Sequence, residues 1–303
     1  MPQVKANGID IEFESFGRAE DPNVLLIAGV MEQLTGWPDS LCHGLVRKGF
    51  RVIRFDNRDV GKSSHLTALG APKIPELMAK LMTGQKVEVP YSLSDMASDA
   101  AGLLDALGVA NAHIVGMSMG GMIAQLVAAN YPAKTKSLVS IMSSSGRRGL
   151  PPPKPEAAAA LIPPSGAPTR EGRIDFQIKF FRVVGGSAYR ADNPELRAYV
   201  ERQVDRAPFD PAAAARQMAA YVAAEPRNEI LKSVHAPTLV LHGADDPLIP
   251  LACGKDTADC IPGAELVIVP GMGHDFSDAV VQQVYLKYMG NFLIKVESQT
   301  KNS

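Results

Sequence analysis

The sequence predicts an α/β protein with a mainly parallel central sheet covered by helices on both faces. Three observations support this prediction. Short apolar runs that end in glycine or aspartate alternate with longer helical patterns, which is the order of repeated strand–helix units. Most of these runs lack the polar alternation of a half-exposed strand, as expected of parallel strands buried on both faces. A segment without strand patterns, 146–233, interrupts the order once.

The first elements are predicted from hydrophobic periodicity. Residues 9–17 alternate apolar and polar side chains, which predicts a half-exposed antiparallel strand at the edge of the sheet. The apolar runs 23–29 and 51–56 predict buried parallel strands, and helical spacing predicts a helix over 37–49 between them.

Two further helical patterns precede the middle of the chain. Residues 92–109 predict an amphipathic helix with Ser94 as its N-cap and Gly108 as its stop. Residues 73–85 place four apolar side chains on one helical face, which predicts a packing surface. These are Leu77, Met78, Leu81 and Met82.

The remaining elements of the core continue the alternation. Strands are predicted at 112–116, 135–144, 237–243 and 264–271, and helices at 119–132 and 277–296. Ser277 is the expected N-cap of the closing helix.

The segment 146–233 is expected to be a helical cap inserted into a core made of 1–145 and 234–303. Seven prolines from Pro151 to Pro168 exclude a single continuous helix or strand over that stretch. Helical patterns follow, at 175–184, 194–206 and 211–224. A surface excursion without a catalytic role is the alternative.

Composition limits the function classes. The 303 residues are 46% hydrophobic and 21% charged, with a formal net charge of -1, as in an ordinary soluble protein without a basic surface for nucleic acid. The N-terminus has no signal-peptide pattern, and no run approaches the length of a membrane span. We therefore expect a cytoplasmic protein with a small-molecule substrate; the oligomeric state stays open.

No cofactor or metal is expected. Three cysteines form no Cys-x-x-Cys pair, and no two of the six histidines have metal-ligand spacing. Gly61-Lys62-Ser63 imitates the end of a phosphate-binding loop, but that motif requires a glycine where Asp56 stands. Asp56, Arg58 and Asp59 are instead expected to form a structural charge cluster.

Residues 116–121, Gly-Met-Ser-Met-Gly-Gly, match the Gly-x-Ser-x-Gly pattern of a nucleophilic serine. The motif lies between a predicted strand and a predicted helix, so Ser118 is expected on a tight turn above the carboxyl ends of the strands. The flanking glycines permit close approach of strand and helix. The backbone N–H of Met119, directly after the serine, is the expected first donor to an oxyanion.

A serine nucleophile requires a base and a group that orients the base. His274 follows the strand predicted at 264–271, and Asp245 and Asp246 follow the preceding strand. The chain order is therefore serine, aspartate, histidine, each after a different strand. Either aspartate can serve on this evidence, and one of them is a turn residue.

Four stretches together resemble the α/β-hydrolase superfamily and, within it, aclacinomycin methylesterase-like esterases. They are GWP (36–38), VIRFDNRDVGKSS (52–64), GMSMGG (116–121) and PGMGH (270–274). The resemblance implies hydrolysis of a methyl ester. By the family's spacing from Gly243 to Pro250 it also favours Asp246 over Asp245.

The resemblance further implies a second oxyanion donor, the N–H of Val30. Ala28 stands where the family often has a histidine that braces this loop. Gly29, Met31 and Met117 are the expected substrate contacts, because methionine provides an adaptable apolar wall.

The predicted function is carboxylic ester hydrolysis of small to medium, mostly apolar esters through an acyl-enzyme. Hydrolysis of lactones or carbon–carbon bonds and perhydrolysis are alternatives with the same three residues. A non-catalytic ligand receptor on the same fold is a further alternative.

Overall fold

A computed structural model describes residues 2–162 and 169–301. Eight strands form one sheet in the order β1-β2-β4-β3-β5-β6-β7-β8. They are β1 (Gln3–Ala6), β2 (Ile9–Phe16), β3 (Asn23–Ile27), β4 (Arg51–Phe55), β5 (Ala112–Met117), β6 (Thr135–Ile141), β7 (Thr238–Gly243) and β8 (Glu265–Val269).

Pairing in the sheet is antiparallel at one end and parallel elsewhere. The pairs β1–β2 and β2–β4 are antiparallel, and every pair from β4 to β8 is parallel. The chain therefore has the predicted α/β architecture. The expectation that 9–17 forms the sheet edge is wrong, because the four-residue strand β1, missed in the sequence, pairs outside β2.

Helices cover both faces of the sheet. In the first part of the chain they are α1 (Asp39–Arg47), α2 (Ile74–Met82), α3 (Leu93–Ala106) and α4 (Met119–Asn130). After β7 comes α9 (Leu251–Cys260). After β8, α10 (Asp278–Val280) continues through a π-helical segment (Val281–Met289) into α11 (Gly290–Lys301). Short 3₁₀ turns occupy Leu34–Gly36, Thr67–Leu69, Pro132–Lys134 and Ile230–Ser233.

Between β6 and β7, the described residues form helices and the loops that connect them, and no strand. The helices are α5 (Pro155–Ala160), α6 (Arg170–Val184), α7 (Asn193–Arg206) and α8 (Pro211–Val222). We call residues 146–233 the helical insertion. Part of the proline-rich stretch, 163–168, lies outside the described residues.

Two local predictions about helices need correction. Ser92, not Ser94, caps α3, because the Ser92 hydroxyl and the Asp95 carboxylate each accept the other residue's backbone N–H. The stripe predicted on α2 packs only in part: Leu77 is buried, but Met78 is 41% and Met82 84% exposed. Ser277 does cap the closing helix and accepts from Val280 N–H.

Apolar side chains on the two sides of the sheet form two large clusters. The helical insertion adds a small cluster of its own around Ile174 and Val200. Among the described residues, no helix is both long and apolar enough to cross a membrane.

Candidate active site

Ser118 lies at the turn between β5 and α4, with φ = 54° and ψ = -125°. A non-glycine residue rarely adopts this conformation, which costs about 1–3 kcal/mol. Its backbone is held on both sides: Ser118 N donates to Ile141 O at 3.0 Å, and Ser143 Oγ donates to Ser118 O at 2.8 Å. The turn is therefore a strained element maintained by the neighbouring strand.

The glycines of the motif are required by close backbone contacts. A Cβ at Gly116 would lie 2.0 Å from the carbonyl oxygen of Gly120, and one at Gly120 would lie 2.1 Å from that of Ile27. No side chain fits at either position. Because Met119 is the first residue of α4, its N–H has no acceptor within the helix and is available above the turn.

His274 and Asp246 meet at the carboxyl ends of β8 and β7. His274 Nδ1 lies 2.8 Å from Asp246 Oδ2, and both side chains are buried. The other carboxylate oxygen of Asp246 accepts the N–H groups of Leu248 and Ile249, at 2.9 and 2.8 Å. Asp245 is exposed. Of the two aspartates left open by the sequence, Asp246 is the one in contact with His274.

The environment of His274 favours its charged form. Burial by itself stabilises the neutral imidazole, but the negative charges of Asp246 and, more weakly, Glu32 outweigh it. The pKa of His274 is therefore raised above its ordinary value.

Residues 29–32 form a tight turn after β3, in which Glu32 N donates to Gly29 O at 3.3 Å. Met31 has φ = 58°, a left-handed conformation that costs a residue with a side chain about 1–2 kcal/mol. Gly29, Val30 and Met31 all line the cavity at Ser118. The turn carries the Val30 N–H that the family resemblance implies as a donor.

Side chains from other segments brace this turn in place of the histidine absent at Ala28. Asn57 Nδ2 donates to Ala28 O at 3.2 Å, and Leu34 N donates to Asp56 Oδ1 at 2.7 Å. Gln217 of α8 accepts the Met31 N–H and donates to Arg58 O at 3.3 Å.

The charged residues of 56–59 join the core to the helical insertion. Asp56 pairs with Arg206 of α7 at 2.8 Å, and Asp59 with Arg216 of α8 at 2.7 Å. Arg58 instead pairs with Asp99 of α3 at 2.6 Å. These contacts agree with the predicted structural cluster.

A cavity of about 220 Å³ lies between the core loops and the helical insertion. Ser118 and His274 line it together with the turn at 29–32. The insertion contributes a mainly apolar wall that includes Phe176, Phe180, Phe181, Val204 and Phe209, and Phe276 of the core also lines the cavity.

Two site residues differ from the sequence-based expectation. Met117 is fully buried in the cluster that contains Val115 and Ile141, and it does not line the cavity, so the expected substrate contact there is wrong. Glu32 lines the cavity but was not predicted. The only sequence signal was a carboxylate two residues after Val30.

No three His, Cys, Asp or Glu residues within 2–162 and 169–301 are grouped as metal ligands. All three cysteines are buried and free.

The model of the alpha/beta hydrolase fold family matches residues 22–278. The chain belongs to the α/β-hydrolase family. It is 28% identical over 292 residues to rhodomycin D methylesterase DauP of Streptomyces sp. strain C5, covering 88% of this chain and 89% of that protein. This α/β-hydrolase thus has esterases among its relatives, and the methylesterase resemblance inferred from the sequence is confirmed.

Solved structures agree on the fold. The enol-lactonase from Burkholderia xenovorans LB400 superposes with a TM-score of 0.69 at 19% identity, over 97% of this chain and 100% of the lactonase. A meta-cleavage product hydrolase from Pseudomonas fluorescens IP01 gives the same TM-score and identity, over 100% and 98%. At these identities, the likeness concerns the fold alone.

Proposed function

We propose that this hydrolase is a serine carboxylesterase in which Ser118 is the nucleophile, His274 the general base and Asp246 the residue that orients His274. The observation that carries the proposal is the hydrogen bond between His274 and Asp246 at a cavity that Ser118 also lines. The relationship to a methylesterase supports an ester as the substrate.

The reaction follows from the chemistry of these groups. Ser118 Oγ attacks the ester carbonyl while His274 Nε2 takes its proton, and the imidazolium formed is stabilised by the Asp246 carboxylate. His274 then protonates the leaving alcohol. A water molecule deprotonated by His274 releases the acid from Ser118.

The N–H groups of Val30 and Met119 are the proposed oxyanion donors. Each such donor typically contributes about 3–4 kcal/mol to stabilisation of the transition state. The strained turn at Met31 and the start of α4 at Met119 are rigid supports for these two groups.

The helical insertion acts as a cap in this proposal. Its apolar residues form one wall of the cavity, so a bound ester would be sheltered from water. A cavity of about 220 Å³ suits small to medium esters, since pockets that bind drug-sized ligands measure roughly 300–1,000 Å³. The cytoplasmic location stays a prediction.

The nucleophile is tested by Ser118→Ala, with the exposed Ser298→Ala as control. We expect a fluorophosphonate probe to label the parent and the control on the peptide containing Ser118, and not to label Ser118→Ala. Hydrolysis of p-nitrophenyl acetate should fall by a factor of at least about 10³ in Ser118→Ala. Activity within tenfold of the parent would reject the assignment.

A further inference from the structure

Glu32 places a second carboxyl group beside the proposed nucleophile. An ideal Cβ at Gly29 would lie 3.1 Å from Glu32 Oε2 and 3.4 Å from Ser118 Cβ. A Cβ at Gly36 would lie 3.4 Å from the same carboxyl oxygen. The Glu32 carboxyl thus occupies a slot between two glycines and lies next to Ser118 at the cavity.

Few charges or hydrogen bonds offset the cost of burying the Glu32 carboxylate. The guanidinium groups of Arg58, Arg206 and Arg216 pair with Asp99, Asp56 and Asp59, and none of them is among the charges that shift the pKa of Glu32. Among the described residues, no side-chain donor is hydrogen-bonded to Glu32. Its contacts are the Gly29 backbone N–H and the charge of His274.

The protonation of Glu32 reflects these surroundings. Burial raises the pKa of Glu32 to about 7, and the charge of His274 and the Gly29 N–H offset burial only in part. The charge of Glu32 in turn helps to raise the pKa values of Tyr199 on α7 and Tyr285 in the π-helical segment, after the larger effect of burial. A carboxyl group in this state gains from a hydrogen-bond donor supplied by a ligand.

We propose that Glu32 determines substrate specificity by accepting a hydrogen bond from a hydroxyl group on the acyl part of the ester. This inference rests on the proposed esterase function. Because the carboxyl lies next to Ser118, the hydroxyl belongs on the first or second carbon after the carbonyl. The apolar wall contributed by the insertion favours a neutral hydroxyl over an ammonium group, which loses more hydration on entering such a cavity.

The test compares kcat/KM for ethyl 3-hydroxybutanoate, ethyl 2-hydroxybutanoate and ethyl butanoate, measured by pH-stat titration. We expect the parent to prefer one hydroxy ester over ethyl butanoate by about 10- to 100-fold, the range of a hydrogen bond to a charged group. In Glu32→Leu this ratio should fall to within about threefold of unity, and Glu32→Gln should be intermediate. Glu88→Gln, on an exposed glutamate, should keep the parent ratio.

The outcomes separate this inference from the proposed function. If the parent hydrolyses all three esters without preference, or if Glu32→Leu keeps the preference, the role of Glu32 is overturned and the esterase proposal stands. A preference for ethyl 3-aminobutanoate over the hydroxy esters overturns the hydroxyl assignment. If Ser118→Ala retains the parent's ester hydrolysis, the proposed function itself fails. If Glu32→Leu does not fold, the near-isosteric Glu32→Gln replaces it: a hydroxy-ester preference unchanged from the parent in that variant overturns the role of Glu32.

Discussion

The turn at Ser118 and the turn at 29–32 lie on two sides of one cavity, and they are held in place differently. The Ser118 turn is maintained by hydrogen bonds to Ile141 and Ser143 of the core and by glycines without room for a side chain. The turn at 29–32 depends on side chains from distant segments, including Gln217 of the helical insertion. The first turn is thus supported from within the core, whereas the second is completed only when the insertion packs onto the core.

Because the two turns are held differently, substitutions near them should affect catalysis to different extents. Changes near Ser118 act on the nucleophile and its base, so they should have large effects. Changes at Gln217 of the helical insertion reach the reaction through the turn at 29–32, so they should have smaller effects that concern the oxyanion.

The largest effect is expected where the nucleophile depends on its base. Asp246→Asn should lower kcat by about 10³- to 10⁴-fold, because the amide no longer selects the productive tautomer of His274 or stabilises its imidazolium. The exposed neighbour Asp245→Asn is the matched control and should stay within about twofold of the parent. Steady-state kinetics on an aryl ester measure both. Equal losses in the two variants would contradict the assignment.

The next largest effect is a loss of stability when the Ser118 turn is disturbed. Gly116→Ala should lower the free energy of unfolding by about 3 kcal/mol or more, because the new Cβ overlaps the backbone at Gly120. Gly84→Ala is the control: Gly84 has φ = 72° but open space around it, so a cost of about 1 kcal/mol is expected. Urea denaturation compares the two. A smaller loss for Gly116→Ala than for Gly84→Ala would show that the turn is not rigid.

Much of the structure around Ser118 could be predicted from the sequence, because the patterns that indicate it are local. A glycine-flanked serine between a strand and a helix defines its own backbone, and His274 and Asp246 follow strands whose carboxyl ends meet at one edge. Three helices of the insertion, α6, α7 and α8, also followed from periodicity, whereas α5 in the proline-rich stretch did not. The four-residue strand β1 could not be found, because so short a segment carries almost no pattern.

The turn at 29–32 and its surroundings could not be predicted, because they depend on tertiary contacts. Gln217 reaches Met31 from 186 positions away, and nothing in its local sequence indicates this. Glu32 acquires its raised pKa from burial between Gly29 and Gly36, which its position in the sequence does not indicate. Met117 was expected at the cavity because it adjoins Ser118 in the chain, but its side chain points to the packed core.

A smaller effect on kcat is expected from a substitution in the helical insertion. Gln217→Leu removes the acceptor for the Met31 N–H, so the left-handed turn should relax and misalign the Val30 N–H. We expect kcat to fall by about 10- to 100-fold with little change in KM, less than the loss of a complete oxyanion donor.

The readout specific to this mechanism is affinity for a trifluoromethyl ketone, which forms an oxyanion on the nucleophile. Affinity should weaken in parallel with kcat in Gln217→Leu, and the exposed Gln282→Ala should leave both unchanged. A rise in KM at constant kcat would instead indicate that Gln217 only shapes the cavity.

The smallest effect is a shift in the pH profile. Glu32 helps to raise the pKa of His274, and the general base is active only when it is neutral. Glu32→Gln removes the negative charge, so the pKa of His274 should fall and the acidic limb of kcat/KM should move to lower pH by less than about one unit. Glu88→Gln is the control. A shift to higher pH would contradict the electrostatic role of Glu32.

In the proposed mechanism, Ser118, the Val30 turn and the start of α4 together hold one tetrahedral intermediate. The most direct measurement is a crystal structure of the phosphonylated protein. We predict phosphorus bonded to Ser118 Oγ, with one phosphonyl oxygen about 2.7–3.1 Å from the backbone nitrogens of both Val30 and Met119. An adduct on another residue, or an oxygen that contacts neither nitrogen, would contradict it.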